Sequence, residues 1–290
     1  MFNNTLKVRQ PRFADDLWYN SDSAQLQMEV QRYLVEASPA PTGLIGLVAP
    51  HAGYFFSGHV AGAAFAGLTA GAFETVILIG PDHRGAAPGE ISTLQVDAWR
   101  TPLGDIPVDW ELLQALQAEI SLSLLSTDEE HCLEVELPFL QMTLKQFKLA
   151  PLMMADQSPE TCRRLGAALV KAIRSQSSSF VGGSEGGVLL VASSDLSHYF
   201  DDDTARRLDQ TTLQFILNLD AEGLARHVEA GRRQGRPFAC GAGPIAVIIH
   251  AATALGATQT ILLKYATSAD AHPRKDRVVG YAAVAISKDV

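Results

Sequence analysis

The chain has 290 residues, with 23 lysines and arginines against 32 aspartates and glutamates, so its net charge at pH 7 is −9. A negative chain matches phosphate backbones poorly, which argues against nucleic-acid binding. We find no apolar run of about 18 residues, as a membrane span requires, and no apolar signal segment near the N-terminus. The three cysteines form no Cys-x-x-Cys pair, which favours a protein of the reducing cytoplasm.

Short apolar segments alternate with helical ones along the whole chain, which predicts an α/β fold. The predicted strands are 44–48, 75–79, 91–96, 149–154, 188–192, 260–265 and 278–286. The predicted helices are 58–68, 109–119, 130–146, 159–175, 203–218, 221–230 and 243–255. Most strands are apolar throughout, as strands covered on both faces are, so we predict a single domain over 1–290 with a mainly parallel central sheet and helices on both faces. The Ser- and Gly-rich stretch 175–187 predicts a flexible surface connection.

Three histidines stand just beyond predicted strands. His51, His83 and His198 each follow a strand end within six residues. Ligands of open α/β sheets bind beyond the carboxyl ends of the strands, and neutral imidazole is both a common metal ligand and a general base. One such histidine alone is as often structural, but the set favours a site. Two histidines with one anionic ligand form a recurring metal site. The candidates for the third ligand are Cys240, Asp82, Asp195 and Glu134.

Cys240 stands at a glycine-rich helix entrance. The helix dipole there lowers the pKa of a thiol and favours the thiolate. Taken alone, however, Cys240 is more often a small buried side chain, and the same interpretation is stronger for Cys132 and Cys162. A metal-independent hydrolase with Cys240 as nucleophile and His198 as base is a further hypothesis.

Two acid–histidine pairs have helical spacing. In a helix over 130–146, His131 and Glu134 lie one turn apart, so His131 is a candidate substrate contact with Glu134 as its orienting partner. A solvated acidic helix start explains this segment equally well. Asp195 and His198 are also three residues apart and form a candidate proton relay.

Several separate motifs, in order along the chain, resemble those of the Memo family, whose prokaryotic members are called AmmeMemoRadiSam system protein B. The motifs are APHAGY (49–54), GPDH (80–83), WRTPLG (99–104), EHCLE (130–134) with LP (137–138), SSDLSHY (193–199), CG (240–241), YATS (265–268) and GYAA (280–283). Together they cover about residues 40 to 285 of the chain. A set in order is a far stronger signal than any single motif.

The resemblance implies the α/β fold of class III (LigB-type) extradiol dioxygenases. Those enzymes bind non-heme Fe(II) through two histidines and a carboxylate, which a cysteine replaces in Memo proteins. The residues that the resemblance places in the site are His51, His83 and Cys240 as metal ligands, His198 and Asp195 as catalytic residues, and His131, Glu134 and Tyr54 as substrate-binding residues. Two positions depart from the usual family pattern. Asp82 is an alternative to Cys240 as a ligand, and Cys132 is an additional soft donor or redox-active thiol.

The resemblance implies a cytoplasmic metal-binding protein, with Fe(II) as the expected metal and Cu or Zn as alternatives. If it is catalytic, we expect a dioxygenase-like oxidoreductase that acts on a small organic molecule. The alternative is a non-catalytic module that binds a peptide or small ligand in a vestigial dioxygenase cleft. A radical-SAM protein and an AMMECR-type protein are the partners implied by family association. Neither nucleic acid nor a membrane is an expected partner.

Overall fold

A mixed sheet dominates the chain in this computed structural model, which describes residues 6–37, 41–85, 88–176 and 187–289. The strands of the described residues are β1 (Val8–Arg9), β2 (Leu44–Ala49), β3 (Phe73–Pro81), β4 (Ile91–Leu94), β5 (Ala98–Thr101), β6 (Gly104–Pro107), β7 (Ser123–Leu125), β8 (Lys148–Met154), β9 (Gly187–Ser193), β10 (His198–Phe200), β11 (Gln259–Thr267) and β12 (Val278–Ser287). The helices of those residues are α1 (Ser23–Val35), α2 (Tyr54–Phe65), α3 (Trp110–Gln117), α4 (Leu137–Leu144), α5 (Pro159–Gln176), α6 (Asp202–Leu217), α7 (Ala221–Arg233), α8 (Ala242–Ala254) and α9 (Ser268–Ala271), with a 3-10 turn (Glu134–Glu136) before α4.

The large sheet has the order β10-β12-β2-β9-β3-β8-β4-β7, with β11 paired to the other side of β12. Its centre, β2-β9-β3-β8, is parallel. The flanking pairs β12-β2, β11-β12, β10-β12 and β4-β8 are antiparallel, so the predicted α/β sheet has the expected parallel centre but is mixed as a whole. Strands β1, β5 and β6 form a separate small sheet. The sequence does not reveal the antiparallel flanks, because a strand buried on both faces has the same apolar pattern whether its neighbour is parallel or antiparallel.

The seven predicted strands are all present, with ends shifted by up to two residues. The predicted helix over 130–146 is wrong at its start, because residues 130–133 are not helical and α4 begins only at Leu137. The Glu130 carboxylate accepts the backbone N–H of His131 and Cys132 instead, at 3.0 and 3.3 Å. Helix α1 was not among the predicted elements. Most of the predicted connection over 175–187 lies outside the described residues.

Every residue of β2 and β9 is buried, which requires cover on both faces of the sheet since alternate side chains point to opposite faces. Helices α2 and α8 are apolar around most of their circumference, as buried helices are. Helix α1 packs closely on α2 at Gly62, where a Cβ atom would lie 2.6 Å from the carbonyl oxygen of Tyr33. No helix among the described residues is both long and apolar enough to cross a membrane.

Four helices begin at an aspartate whose side chain accepts a backbone N–H of the first turn. These N-cap residues are Asp22, Asp109, Asp201 and Asp220. Asp220 accepts from Gly223 at 2.7 Å and so fixes the start of α7, which packs on α8.

We predict that Asp220→Ala lowers the free energy of unfolding by about 1 kcal/mol, because the Gly223 N–H loses its acceptor. Asp220→Asn keeps a side-chain oxygen at the same place and is expected to retain most of the stability. Urea unfolding of the two variants beside the parent measures the difference. Equal stability of all three proteins contradicts the capping role.

Candidate metal centre

The carboxyl ends of β2, β9 and β3 bring the predicted site loops together. These strands are parallel neighbours, with Ala49 level with Ser193 and Ile79 level with Ala192. His51 lies two residues beyond β2, and His83 two residues beyond β3. Strands that end level deliver the loops that follow them to the same edge of the sheet.

Three imidazoles meet at this edge. The ring centroids of His51 and His83 are 5.2 Å apart, those of His51 and His131 5.3 Å, and those of His83 and His131 4.9 Å. One nitrogen of each ring lies within 4.8 Å of the other two, a spacing that one metal ion can bridge. His131, which we expected to contact substrate, is therefore placed among the candidate ligands.

Cys240 lies beside the same cluster. Its Sγ is 3.2 Å from Nε2 of His51 and accepts the backbone N–H of Asp195 at 3.3 Å. Our prediction of a thiolate favoured by the helix dipole is reversed, because burial raises the pKa of the Cys240 thiol. Such a thiol becomes a thiolate when a cation binds it.

His51 is oriented from behind by a serine at the end of β9. Its Nδ1 is 2.8 Å from Oγ of Ser193, and that hydroxyl donates to the carbonyl oxygen of Cys132 at 2.6 Å. Because the Ser193 hydroxyl donates its hydrogen to Cys132, its oxygen accepts a hydrogen bond from Nδ1–H of His51. The neutral ring therefore carries its free lone pair on Nε2. Nε2 is the nitrogen beside Cys240. Ser193 also lies 3.0 Å from the carboxyl of Glu136, a fully buried group whose pKa is raised by burial.

Glu130 orients the other two imidazoles, and sequence reasoning missed it. Its carboxylate accepts from Nδ1 of His83 at 2.9 Å and lies 3.1 Å from Nδ1 of His131, and it also accepts both backbone N–H groups. Burial raises the pKa of Glu130, but the hydrogen bonds with His131 and His83 outweigh it and hold the pKa below its usual range. With both Nδ1 atoms on an ionised carboxylate, both Nε2 atoms are left for a ligand. The only sequence signal is that Glu130 adjoins His131.

Glu130 and His83 also form a second group within 4.8 Å with Cys132.

Glu134 does not orient His131, so that expectation is wrong. The Glu134 carboxylate is fully buried and is used by the N-terminal segment. Its donors are the Arg9 guanidinium, the backbone N–H groups of Arg12 (3.0 Å) and Phe13 (2.8 Å), and the Tyr19 hydroxyl (2.6 Å). Arg9 also forms two bonds to Asp128, at 2.7 and 2.9 Å. The loop that carries Glu130 and His131 is therefore fixed from both sides by residues 9–19.

That N-terminal segment also covers His131. The ring centroid of Trp18 lies 4.2 Å from that of His131, and Phe13 packs edge-on at 5.7 Å. The predicted elements begin at residue 44, so sequence reasoning missed this contribution. Tyr54, predicted to bind substrate, is buried and donates its hydroxyl to the carbonyl oxygen of Val135 at 2.7 Å. This hydrogen bond links the start of α2 to the 3-10 turn over Glu134–Glu136.

Asp195 and His198 lie near the cluster but do not form the predicted pair. Asp195 accepts the backbone N–H of His51 at 2.9 Å, and burial raises its pKa to about 7. His198 is mostly buried, which lowers its pKa, and its Nδ1 has no hydrogen-bond partner among the described residues. Asp82 accepts the backbone N–H of Arg84 at 3.1 Å and belongs to neither metal-spaced group.

The fold and the site together define a mixed α/β protein with a candidate mononuclear metal centre at the carboxyl edge of its sheet. The profile of the Memo-like protein family matches residues 9–285, and the chain belongs to the Memo family. It is 37% identical over 256 residues to a MEMO1 family protein of Methanopyrus kandleri, a match that covers 87% of this chain and 86% of the relative. It is 35% identical over 286 residues to a MEMO1 family protein of Methanosarcina mazei, covering 97% of this chain and 100% of the relative.

We predict that Glu134→Ala lowers the free energy of unfolding by about 3 to 5 kcal/mol, because it leaves the buried Arg9 guanidinium without its second carboxylate. Urea unfolding measures the loss. The control is Asp105→Ala, which breaks a comparable pair with Arg100 on the exposed surface and is expected to change stability little. A Glu134 variant as stable as the control contradicts the anchoring role.

Proposed function

We propose that this protein binds one divalent or redox-active metal ion, Fe(II) in the first instance and Cu or Zn as alternatives. His51, His83 and Cys240 are the proposed ligands, with His131 as a competing or additional one. The observation that supports the proposal is the convergence of one nitrogen from each of three imidazoles, and of one thiol, at the carboxyl edge of the sheet. Imidazole nitrogen and thiol sulfur are donors that these metals share, whereas Mg²⁺ and Ca²⁺ prefer oxygen.

The proposed activity is a dioxygenase-like oxidation of a small organic molecule, on a fold related to that of LigB-type extradiol dioxygenases. A bound Fe or Cu ion would supply Lewis acidity and a route for electrons between substrate and O₂, whereas Zn would supply Lewis acidity alone. Asp195, with a pKa of about 7, holds or releases a proton near neutral pH. Burial lowers the pKa of His198, and its Nδ1 has no hydrogen-bond partner within the described part of the chain, as a proton acceptor requires.

The proposal includes a cytoplasmic location, which the three free cysteines of the described chain support. A radical-SAM protein and an AMMECR-type protein are its proposed partners, by family association.

A second candidate function is non-catalytic binding of a peptide, and one observation favours it. Large apolar side chains near the site are exposed, with Leu17 at 81%, Tyr199 at 61% and Phe55 at 60% of their full surface. Leu17 adjoins Trp18 on the N-terminal segment, Tyr199 follows His198, and Phe55 lies in the first turn of α2. Exposed large apolar side chains close together are typical of protein-binding surfaces.

We predict that the protein loaded anaerobically with Fe(II) retains about one iron per chain after dialysis, and that His51→Ala or His83→Ala abolishes retention, because each removes an Nε2 donor. Elemental analysis provides the measurement. Cys240→Ala and His131→Ala, compared directly, decide which side chain is the third ligand. His272→Ala, on an exposed histidine that belongs to neither metal-spaced group, is the control.

Iron-free parent protein, or undiminished iron in His51→Ala, overturns the metal proposal. A peptide that binds equally well to the parent and to a variant lacking His51, His83 and Cys240 supports the second function.

We predict that Ser193→Ala weakens metal binding by about 10- to 100-fold, because Nδ1–H of His51 loses its acceptor and the ring loses its fixed orientation. A competition titration against a chelator measures the affinity. Ser197→Ala is the matched control, since Ser197 is equally buried in the loop that follows β9 but its hydroxyl has no hydrogen-bond partner among the described residues. Equal affinities of the two variants argue against the orienting role.

A further inference from the structure

A cavity lies at the edge of the sheet opposite the histidine cluster. Its volume is about 700 Å³, within the range of small-molecule sites, and it opens where β3 and β8 begin. Phe73 lines it and starts β3, whereas Pro81 ends that strand near His83. A nine-residue strand places the cavity roughly 26 Å from the histidine loops. It is therefore separate from the candidate metal centre.

The inner wall of this cavity is apolar. It is formed by Phe73, Ile106, Leu144 and Phe147, each of which is buried in the core. Of the four charged lining residues, Glu74, Asp105 and Lys145 are exposed and Lys148 is half-buried. An apolar pocket with polar groups at its mouth is the usual form of a site for an amphipathic small molecule.

Lys145 stands at the rim in a strained turn. It directly follows the last residue of α4, with φ of 67° and ψ of −58°. The backbone N–H of Gln146 donates across it to the carbonyl oxygen of Leu144 at 2.8 Å, which makes a three-residue turn of the rare, strained kind. Glycine is the residue that tolerates such a positive φ. A lysine held there at a cost in stability is the type of outlier that recurs at ligand-binding positions.

The charges at the rim leave one unpaired cation. Glu74 lies 3.8 Å from Lys148, and Asp105 is held by two bonds from Arg100 at 2.6 and 2.7 Å. The ammonium group of Lys145, by contrast, has no hydrogen bond or ion pair with any part of the chain that the structure describes. The mouth of the cavity therefore suits a ligand with a negative group.

We infer that this cavity binds an amphipathic monocarboxylate of the medium-chain fatty-acid class. The hydrocarbon tail lies against the apolar wall, and the carboxylate pairs with Lys145 at the rim. The site is independent of the metal centre, so the two proposals stand or fall separately.

Isothermal titration of the full chain with dodecanoate, below its micelle concentration, tests the inference. We expect one saturable site, and binding about ten-fold weaker or worse for dodecyltrimethylammonium, which has the same tail and the opposite charge. Lys145→Ala is expected to weaken dodecanoate binding by about the same factor, whereas Lys145→Arg keeps it. Lys171→Ala, on an exposed lysine paired with Glu119, is the matched control.

Two further variants separate binding from folding. Lys145→Gly relieves the strained turn, so it is expected to raise the melting temperature while it weakens dodecanoate binding. Ala70→Trp places a bulky ring at the exposed rim and is expected to block the site without disturbing the core. Absence of saturable dodecanoate binding overturns the inference. So does equal binding of the cationic ligand, or an affinity that Lys145→Ala and Ala70→Trp leave unchanged.

Discussion

The level ends of three parallel strands are the constraint on which the site depends. Backbone hydrogen bonds set β2, β9 and β3 in a register that places Ala49 beside Ser193 and Ala192 beside Ile79. Because each strand is buried on both faces, a slip of one residue would turn core side chains towards the wrong layer. The burial of the core side chains therefore supplies most of the free energy that fixes the loops after β2, β9 and β3. These loops need few stabilising contacts of their own.

Hydrogen bonds to Nδ1 of the three imidazoles then fix the orientation of each ring. Glu130 holds the rings of His83 and His131, and Ser193 holds that of His51. All three bonds engage Nδ1 and therefore leave Nε2 of each ring available for a ligand. The ionised carboxylate of Glu130 is also a negative charge buried behind two imidazoles, which favours a cation in front of them. The orientation of the three rings and the negative charge of Glu130 therefore both favour a cation at this position.

The sequence predicts the parts of this arrangement that depend on local pattern. Apolar runs locate the central strands, and position after a strand end is sufficient to single out His51 and His83. The contacts that depend on tertiary register are beyond such reasoning. The spacing of His131 and Glu134 suggests a helical pair, yet Glu130 bonds the backbone of its own loop and prevents the helix from starting there. The direction of β12 could not be predicted either, because burial on both faces leaves no trace of it.

The network around Glu134 also has a consequence for the order in which the molecule is assembled. It joins Arg9 to an acceptor 125 residues later in the chain, and Tyr19 to one 115 residues later. During synthesis, the segment over residues 9–19 therefore leaves the ribosome long before its carboxylate partner exists. Arg9, which is buried in the folded protein, stays solvated until residues 128–134 have folded against β3 and β9. The segment that is made early therefore docks only after that later loop is in place, and its docking covers His131 with Trp18 and Phe13.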